Sequence, residues 1–314
     1  MPEIPVYLFT GFLEAGKTRF IQETLGDERF NTGERTLLLL CEEGIEEYDP
    51  DHFAGKNIFQ ETCGRQEDLT PAFWDALMKK YRFERAVVEY NGMWMLDDFY
   101  RSLPEGFSVY QEICFADAST FISYNQNMRQ LVADKLKSCE MVVFNRTSPT
   151  VERIALHKIV RGLSRRCDIA YETSDGQVEY DDIEDPLPFD ISAPIIEIAD
   201  QDYAIWYRDM TEEPEKYDGK TVRFLGIVAL GVGVPRGTFL VGRHVMTCCA
   251  ADISYAGLVC LWDGGSKPKN RDWVRLTAKL KLEHHEVYAQ RGPVLYAVSV
   301  EKAKKPAEEV ATFY

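Results

Sequence analysis

The chain reads IPVYLFTGFLEAGKTRFIQETL at residues 4–25, an apolar run followed by a glycine-containing loop and an amphipathic stretch. Residues 11–18 of this run, GFLEAGKT, satisfy the pattern GxxxxGK[ST] of a phosphate-binding loop. Gly11 and Gly16 let the backbone wrap closely around a phosphate, where a Cβ atom would intrude. Backbone amides of the loop and the amino end of the following helix would then face the anion. The motif therefore predicts a nucleotide-binding site between a strand and a helix.

Two side chains of the loop would carry its chemistry. We expect Lys17 to reach the β and γ phosphates of a nucleotide, and the Thr18 hydroxyl to ligate Mg²⁺. The predicted cofactor-binding residues of the loop are Gly11, Glu14, Ala15, Gly16, Lys17, Thr18 and Arg19. The expected ligand is a nucleoside triphosphate bound together with Mg²⁺.

Composition limits the remaining possibilities. The chain has 314 residues, of which 45% are hydrophobic, enough for about two domains with buried cores. Its 36 basic and 51 acidic residues give a net charge of −15, which would repel nucleic acid and anionic membranes. No run approaches the roughly 18–20 apolar residues of a membrane helix, and the amino terminus lacks the features of a signal peptide. With eight thinly spread cysteines, we expect a cytoplasmic protein that binds no nucleic acid and inserts into no membrane.

Apolar periodicity divides the chain into two parts. Up to residue 200, short apolar runs such as TLLLL (36–40) and MVVF (141–144) alternate with amphipathic stretches. This pattern predicts a doubly wound α/β domain with a mainly parallel sheet at residues 1–200. After Gly219, five strand-like runs within about 85 residues predict a small all-β, OB-like barrel, which places the second domain at 201–314.

The phosphate loop also carries a resemblance to a known family. The opening PVYLFTGFLEAGKTRFI resembles that of the CobW family of P-loop GTPases, and later segments resemble the family in the same order. These segments are LLLLCEEGIEEYD with Glu42, AVVEYNG with Glu89, CFADAST with Asp117, and CEMVVFNRTS with Asn145 and Arg146. The resemblance covers about residues 4–185 and implies a P-loop GTPase that hydrolyses GTP with Mg²⁺.

The resemblance assigns roles to several of these residues. It implies that Glu89 holds the Mg²⁺ shell or orients the attacking water, and that Glu42 approaches the same ion from a switch loop. Lys17 and Glu89 are therefore the predicted catalytic residues, with Asn145 and Arg146 at the nucleotide. A solvated or helix-capping acid is the alternative interpretation of both Glu42 and Glu89.

Three departures from the family pattern change these expectations. The guanine-binding sequence NKxD is replaced by NRTS, so Ser148 stands where an aspartate would pair with guanine, and ATP is the alternative to GTP. The family's CxCC metal motif is reduced to Cys63, which alone cannot build the three- or four-ligand site that Zn²⁺ prefers. Cys41 either joins Cys63 or is a core residue. Glu14 and Arg19 replace the usual Gly and Thr, and Glu14 would repel phosphate, so slow turnover is expected.

A second cluster of metal-ligand residues lies in the predicted barrel. The run GRHVMTCCAADISYAG contains His244, Cys248, Cys249 and Asp252, and it resembles the C-terminal domain of YcgQ-type bacterial proteins over about residues 203–314. Thiolates, imidazole and carboxylate together suit a soft ion such as Zn²⁺. Neighbouring side chains of a strand point to opposite faces, so both thiolates would reach one ion only at a turn or bulge. Redox chemistry and simple packing are the alternatives.

These features predict a nucleoside triphosphatase that couples GTP hydrolysis to metal-ion handling, as a metallochaperone or metal-centre regulator. The coupling is what the resemblance implies, with a metalloprotein client or a transporter as partner. The alternative is a slow or non-hydrolysing nucleotide switch that docks a protein partner through the barrel. A small-molecule kinase is a third class, which the lack of an arginine-rich lid segment in the sequence disfavours.

Overall fold

The structure is a computed structural model that describes residues 3–42, 44–173, 175–230, 237–247, 250–265 and 267–313. The chain divides into two compact units, Met1–Ile183 and Glu184–Tyr314. The first unit is α/β, and the second consists mainly of β-strands. Among the described residues, no helix has the length and apolarity needed to span a bilayer.

A sheet of eight strands forms the centre of the first unit. The strands are β1 (Ile4–Gly11), β2 (Thr36–Leu40), β3 (Ile58–Thr62), β4 (Arg85–Glu89), β5 (Phe107–Asp117), β6 (Met141–Thr147), β7 (Asp168–Thr173) and β8 (Val178–Tyr180). Their spatial order is β3-β2-β4-β1-β5-β6-β7-β8. All neighbours are parallel except β7 and β8, so the predicted mainly parallel sheet is confirmed.

Apolar side chains cover both faces of this sheet. In β2, Leu37 and Leu39 belong to one buried cluster and Leu38 to another, because successive strand residues point to opposite faces. Burial on both faces explains the unbroken apolar run of this strand. The helices of the unit are α1 (Lys17–Gly26), α2 (Pro71–Tyr81), α3 (Leu96–Ser102), α4 (Phe121–Asn127), α5 (Arg129–Ser138) and α6 (Arg153–Leu163).

The limits of α2 follow directly from its sequence. The Thr70 side chain accepts a hydrogen bond from the backbone amide of Phe73, and Pro71 occupies the first helical turn, where a missing amide hydrogen costs nothing. The helix ends at Tyr81, and the next residue, Arg82, takes the left-handed conformation with φ 50°.

Parallel pairing brings the carboxyl ends of several strands to one edge of the sheet. β1 lies between β4 and β5, so the loop that follows Gly11 is flanked by Glu89 at the end of β4 and Asp117 at the end of β5. In the next strand, Asn145 is paired with Asp117. The sheet therefore gathers the residues of the predicted nucleotide site at this edge.

The second unit contains a closed ring of strands. Its elements are β9 (Ile196–Glu197), α7 (Tyr203–Glu212), β10 (Thr221–Ala229), β11 (Thr238–Met246), β12 (Ser254–Leu261), β13 (Trp273–His285), β14 (Gln290–Lys302) and β15 (Val310–Thr312). β10, β11, β12, β14 and β13 pair in that order, and β13 pairs back with β10. The predicted small all-β barrel is therefore confirmed, while its assignment as OB-like stays a prediction.

The start of the second unit differs from the domain boundary expected at residue 200. β9 pairs in parallel with β10, with Ile196 opposite Val222. Residues 184–200, which the sequence pattern assigns to the first domain, group with the second unit, and Phe189, Ile196 and Ile198 belong to its buried cluster. A two-residue strand gives no sign in the sequence of which sheet it joins.

One buried cation ties separate segments of the second unit together. Arg243 in β11 is 1% exposed. Its Nη1 donates to the backbone carbonyl of Asp200 at 2.7 Å, and its Nη2 donates to the carbonyl of Glu308. The guanidinium also lies 5.8 Å from the ring of Trp273. Arg243 therefore holds the beginning and the end of the unit against the barrel.

We expect Arg243→Met to destabilise the second unit by about 3 kcal/mol or more, because two carbonyls would lose charge-assisted hydrogen bonds. Hydrogen exchange of β11 and β15 in the full-length protein, followed by mass spectrometry, measures this change. Arg275→Met is the matched control, since Arg275 is exposed on β13, and we expect it to change stability by less than about 0.5 kcal/mol. Equal exchange rates in the two variants would contradict the anchoring role of Arg243.

Candidate functional site

The loop between β1 and α1 has backbone angles that favour glycine. Gly11 and Gly16 have φ values of 125° and 93°. A Cβ atom on Gly11 would overlap the carbonyl of Phe115, and one on Gly16 would clash with the side-chain amide of Asn145. Glu14 also adopts a positive φ, of 60°, with an exposed side chain. The loop thus has the tight backbone path expected of a phosphate loop, with one strained glutamate in it.

Lys17 is buried and its ammonium group is fully occupied. Its Nζ donates to the carbonyls of Gly11 and Phe12, both at 2.9 Å, and to Glu42 Oε2 at 2.6 Å. An ammonium group has three protons, so each has an acceptor. The Glu42 carboxylate therefore competes for the cation that an incoming phosphate would bind.

Thr18 and Glu89 form the other half of the site. Thr18 Oγ1 donates to Glu89 Oε1 at 2.8 Å, and the Tyr48 hydroxyl donates to Glu89 Oε2 at 2.5 Å. Glu89 is 5% exposed, and this burial raises its pKa, while the hydrogen bonds from Tyr48 and Thr18 act in the opposite direction. Because Thr18 gives its proton to Glu89, the Thr18 oxygen keeps its lone pairs for a cation.

The oxygen atoms gathered here fit Mg²⁺, which prefers carboxylate, hydroxyl and water ligands. A cavity of about 170 Å³ is lined by Thr18, Glu42 and Glu89 together with Lys17. Of its described lining residues, four are acidic and two are basic, namely Glu14, Glu42, Glu46 and Glu89 against Lys17 and Arg146. This excess of negative charge means that a triphosphate would enter most favourably with a divalent cation.

Asn145 and Arg146 lie beside the loop, and their predicted contact with the nucleotide stays a prediction. Asn145 Nδ2 donates to the carbonyl of Ala15, which braces the phosphate loop from β6. Arg146 Nη1 donates to Asp117 Oδ2 at 2.5 Å. Burial opposes ionisation of Asp117, but hydrogen bonds from Ser119 and Arg146 outweigh it and lower the pKa of the carboxyl group. The end of β6 is therefore joined both to the loop and to β5.

Ser148 and Arg19, two of the departures from the family pattern, have partners away from the cavity. Ser148 is exposed, and its Oγ is hydrogen-bonded to Thr150 Oγ1 at 2.7 Å. Arg19 forms ion pairs with Glu23 at 3.0 Å and Glu172 at 3.4 Å. The guanidinium of Arg19 is thus engaged by carboxylates, and its predicted contact with the nucleotide stays a prediction.

Cys63 is enclosed in the core of the first unit. It is 2% exposed, and its Sγ donates to the carbonyl of Arg65 at 3.4 Å. Cys41, equally buried, follows the neighbouring strand β2. Burial raises the pKa of both thiols and so disfavours the thiolate that a metal ion would need. The two thiols fit core packing better than a metal site.

The predicted ligands of the barrel are only partly described. His244 is exposed on β11, with its ring 5.5 Å from that of Tyr255. The Asp252 carboxylate accepts a hydrogen bond from the backbone amide of Thr247 at 3.1 Å. Cys248 and Cys249 lie outside the described residues. Within the described part of the chain, no three His, Cys, Asp or Glu side chains are grouped to hold a metal ion, so this site stays a prediction.

Tyr48 is a residue of the site that sequence reasoning misses. It directly precedes Asp49 of the segment LLLLCEEGIEEYD, and a tyrosine at that position belongs to no metal or phosphate motif. The available signal was the segment itself, which also carries Glu42. Only the structure brings the Tyr48 hydroxyl to the carboxylate of Glu89.

Comparison with known families agrees with this geometry. Residues 5–170, more than half of the chain, match the CobW/HypB/UreG nucleotide-binding domain. The chain belongs to this family. The predicted resemblance to CobW-type GTPases is therefore confirmed, and it makes this CobW/HypB/UreG protein a nucleotide-binding protein. Residues 177–311 match the DUF1980 C-terminal domain, in the region predicted to resemble YcgQ-type proteins.

Solved structures similar to this CobW/HypB/UreG protein include a zinc-bound GTPase and a nucleotide complex. Zn(II)-bound YjiA GTPase from E. coli is 18% identical, with 77% of this chain and 86% of that chain covered and a TM-score of 0.43. FlhF complexed with GMPPNP and Mg²⁺ is 11% identical, with 58% and 71% of the two chains covered and a TM-score of 0.36. No curated protein sequence matches the chain.

Gly92→Ala tests how closely the segment after β4 must approach the loop. A Cβ atom on Gly92 would lie within 3.0 Å of backbone atoms of Gly11 and Phe12, which have little freedom to move. We expect a loss of about 1–3 kcal/mol in the free energy of unfolding, together with weaker nucleotide binding. Chemical denaturation and titration with a fluorescent GTP analogue measure the two effects. Gly64→Ala is the control, since a Cβ there meets nothing within 4 Å, and similar losses in both variants would refute the explanation.

Proposed function

We propose that the protein is a Mg²⁺-dependent nucleoside triphosphatase that hydrolyses GTP. The observation that carries this proposal is the hydrogen bond from Thr18 to Glu89 beside the buried ammonium of Lys17. This hydrogen bond joins the Thr18 hydroxyl, which suits a metal ion, to the Glu89 carboxylate, which can orient a water molecule. Membership of the CobW/HypB/UreG nucleotide-binding family supports it independently.

Each residue of the site would have a separate role in phosphoryl transfer. Lys17 would neutralise charge on the β and γ phosphates, together with backbone amides at the start of α1. Thr18 and Glu89 would hold Mg²⁺, which would supply further neutralisation of the phosphate charge. The Glu89 carboxylate would accept a hydrogen bond from the attacking water and hold it in line with the bond that breaks. Asn145 keeps the loop in shape through its bond to Ala15.

Coupling to metal-ion handling is the finer part of the proposal, and the family resemblance supports it. The metal ligands it would use are His244, Cys248, Cys249 and Asp252 of the second unit, since the buried Cys63 fits core packing better. Stimulation of GTP hydrolysis by Zn²⁺ would support this coupling, with a metalloprotein or a transporter as client. We also propose a cytoplasmic location, on the basis of the cysteine content.

A slow nucleotide switch that docks a protein partner through the barrel is the second candidate. Two observations favour slow turnover, namely the Lys17–Glu42 ion pair and the position of Glu14 in the cavity lining. The ion pair must open before phosphate binds, and Glu14 adds negative charge to the cavity. Release of phosphate into water at a steady rate would favour the enzyme over the switch.

Lys17→Ala should abolish or strongly weaken nucleotide binding. Loss of the ammonium group removes charge-assisted bonds to the phosphates, so we expect an affinity about 10- to 100-fold lower. Titration of the purified protein with a fluorescent GTP analogue and Mg²⁺ measures it. Lys79→Ala, at an exposed lysine of α2, is the control and should bind like the wild type. Unchanged affinity of Lys17→Ala would rule out this loop as the phosphate site.

Ser148→Asp tests the identity of the base. The resemblance implies that an aspartate here would accept two hydrogen bonds from guanine, and the exposed Ser148 leaves space for the longer side chain. We expect the ratio of GTP to ATP affinity to rise about tenfold or more. Parallel titrations with the two nucleotides give the ratio. Thr150→Asp adds the same charge two residues away, and an equal change there would show that charge alone is responsible.

A further inference from the structure

Both oxygens of the Glu89 carboxylate are held by hydroxyl groups, and the two hydroxyls come from different segments. Thr18 Oγ1 donates to Oε1 from the first turn of α1, at 2.8 Å. The Tyr48 hydroxyl donates to Oε2 from the segment between β2 and β3, at 2.5 Å. Two donors on opposite oxygens restrict the rotation of a carboxylate about its last bond more tightly than one donor does.

Tyr48 is itself braced against α1. The backbone amide of Asp49 donates to Gln22 Oε1 at 2.8 Å, and Gln22 Nε2 donates to the carbonyl of Asp49 at 3.2 Å. Gln22 lies one helical turn after Thr18, so the two residues share a face of α1. The contacts therefore form a closed ring that runs from α1 through Glu89, Tyr48 and Asp49 back to α1.

We propose that Tyr48 is a positioning residue that aims the Glu89 carboxylate at the cation beside Thr18. This role rests on the proposed Mg²⁺-dependent function. Tyr48 acts through Glu89, because its hydroxyl donates to that carboxylate and it is not among the described residues that line the cavity. Without its hydroxyl, Oε2 has no donor from this segment, and the carboxylate can turn away from the orientation that suits the cation. A carboxylate that is already oriented before Mg²⁺ binds lowers the free-energy cost of binding the ion. Loss of the Tyr48 hydroxyl should therefore raise the Mg²⁺ concentration that nucleotide binding requires.

Tyr48→Phe keeps the aromatic ring, which lies 6.5 Å from that of Phe53, and removes only the hydroxyl. The matched control is Tyr100→Phe, because the Tyr100 hydroxyl also donates to a buried glutamate, Glu112, elsewhere in the same unit. Both variants lose one hydrogen bond to a buried carboxylate, but only Tyr48→Phe loses it at the nucleotide site.

The measurement is the Mg²⁺ concentration that gives half-maximal enhancement of binding of a fluorescent GTP analogue to the full-length protein. We expect Tyr48→Phe to raise this concentration about tenfold, and to leave the affinity without Mg²⁺ within about twofold of wild type. Tyr100→Phe should leave both values unchanged. Gln22→Ala, which removes the brace, should shift the Mg²⁺ requirement in the same direction by a smaller factor.

An unchanged Mg²⁺ requirement in Tyr48→Phe would overturn the positioning role. An equal loss of affinity with and without Mg²⁺ would overturn it as well, because that result indicates a general structural effect. If the wild-type protein bound no GTP at any Mg²⁺ concentration, the proposed function would fall together with this role. A failure specific to Tyr48 is distinguishable from that result, because the wild type then binds GTP normally.

Discussion

The phosphate loop is held by close backbone packing that leaves no room for a side-chain carbon at three positions. Gly11 lies against the carbonyl of Phe115, Gly16 against the amide of Asn145, and Gly92 against the loop itself. These contacts join β5, β6 and the segment after β4 to one turn of chain. The loop is therefore shaped by its neighbours in the sheet as much as by its own sequence, and every group of the candidate site is positioned relative to it.

The charges of the site follow from this packing. Lys17 is enclosed where two loop carbonyls face it, and both accept hydrogen bonds from its ammonium group. Glu42 is the third acceptor, at 2.6 Å, so each proton of the ammonium group is hydrogen-bonded. A phosphate that binds the Lys17 ammonium group must displace the Glu42 carboxylate. Nucleotide binding at Lys17 and the opening of the Lys17–Glu42 ion pair are thus parts of one event.

Much of this arrangement could be predicted from the sequence, since the signals are local. The spacing of Gly11, Gly16 and Lys17 is typical of a phosphate-binding loop, and the apolar runs indicate strands buried on both faces. The five strand-like runs after Gly219 likewise predict a small barrel. Contacts between distant segments left no such signal. The pairing of Lys17 with Glu42, the approach of Tyr48 to Glu89 and the ion pairs of Arg19 depend on side-chain directions that only the folded chain defines.

The edge strand β9 has a consequence for how such a chain arises by domain recombination. It adds to the barrel at β10, and the carbonyl of Asp200 just after it accepts a hydrogen bond from the buried Arg243. The barrel therefore includes residues that precede its first long strand. A gene fusion that joined the barrel to another protein would have to include residues 184–200. A breakpoint at residue 201 would remove the edge strand β9 from the sheet. It would also remove the carbonyl of Asp200, which accepts a hydrogen bond from the buried guanidinium of Arg243.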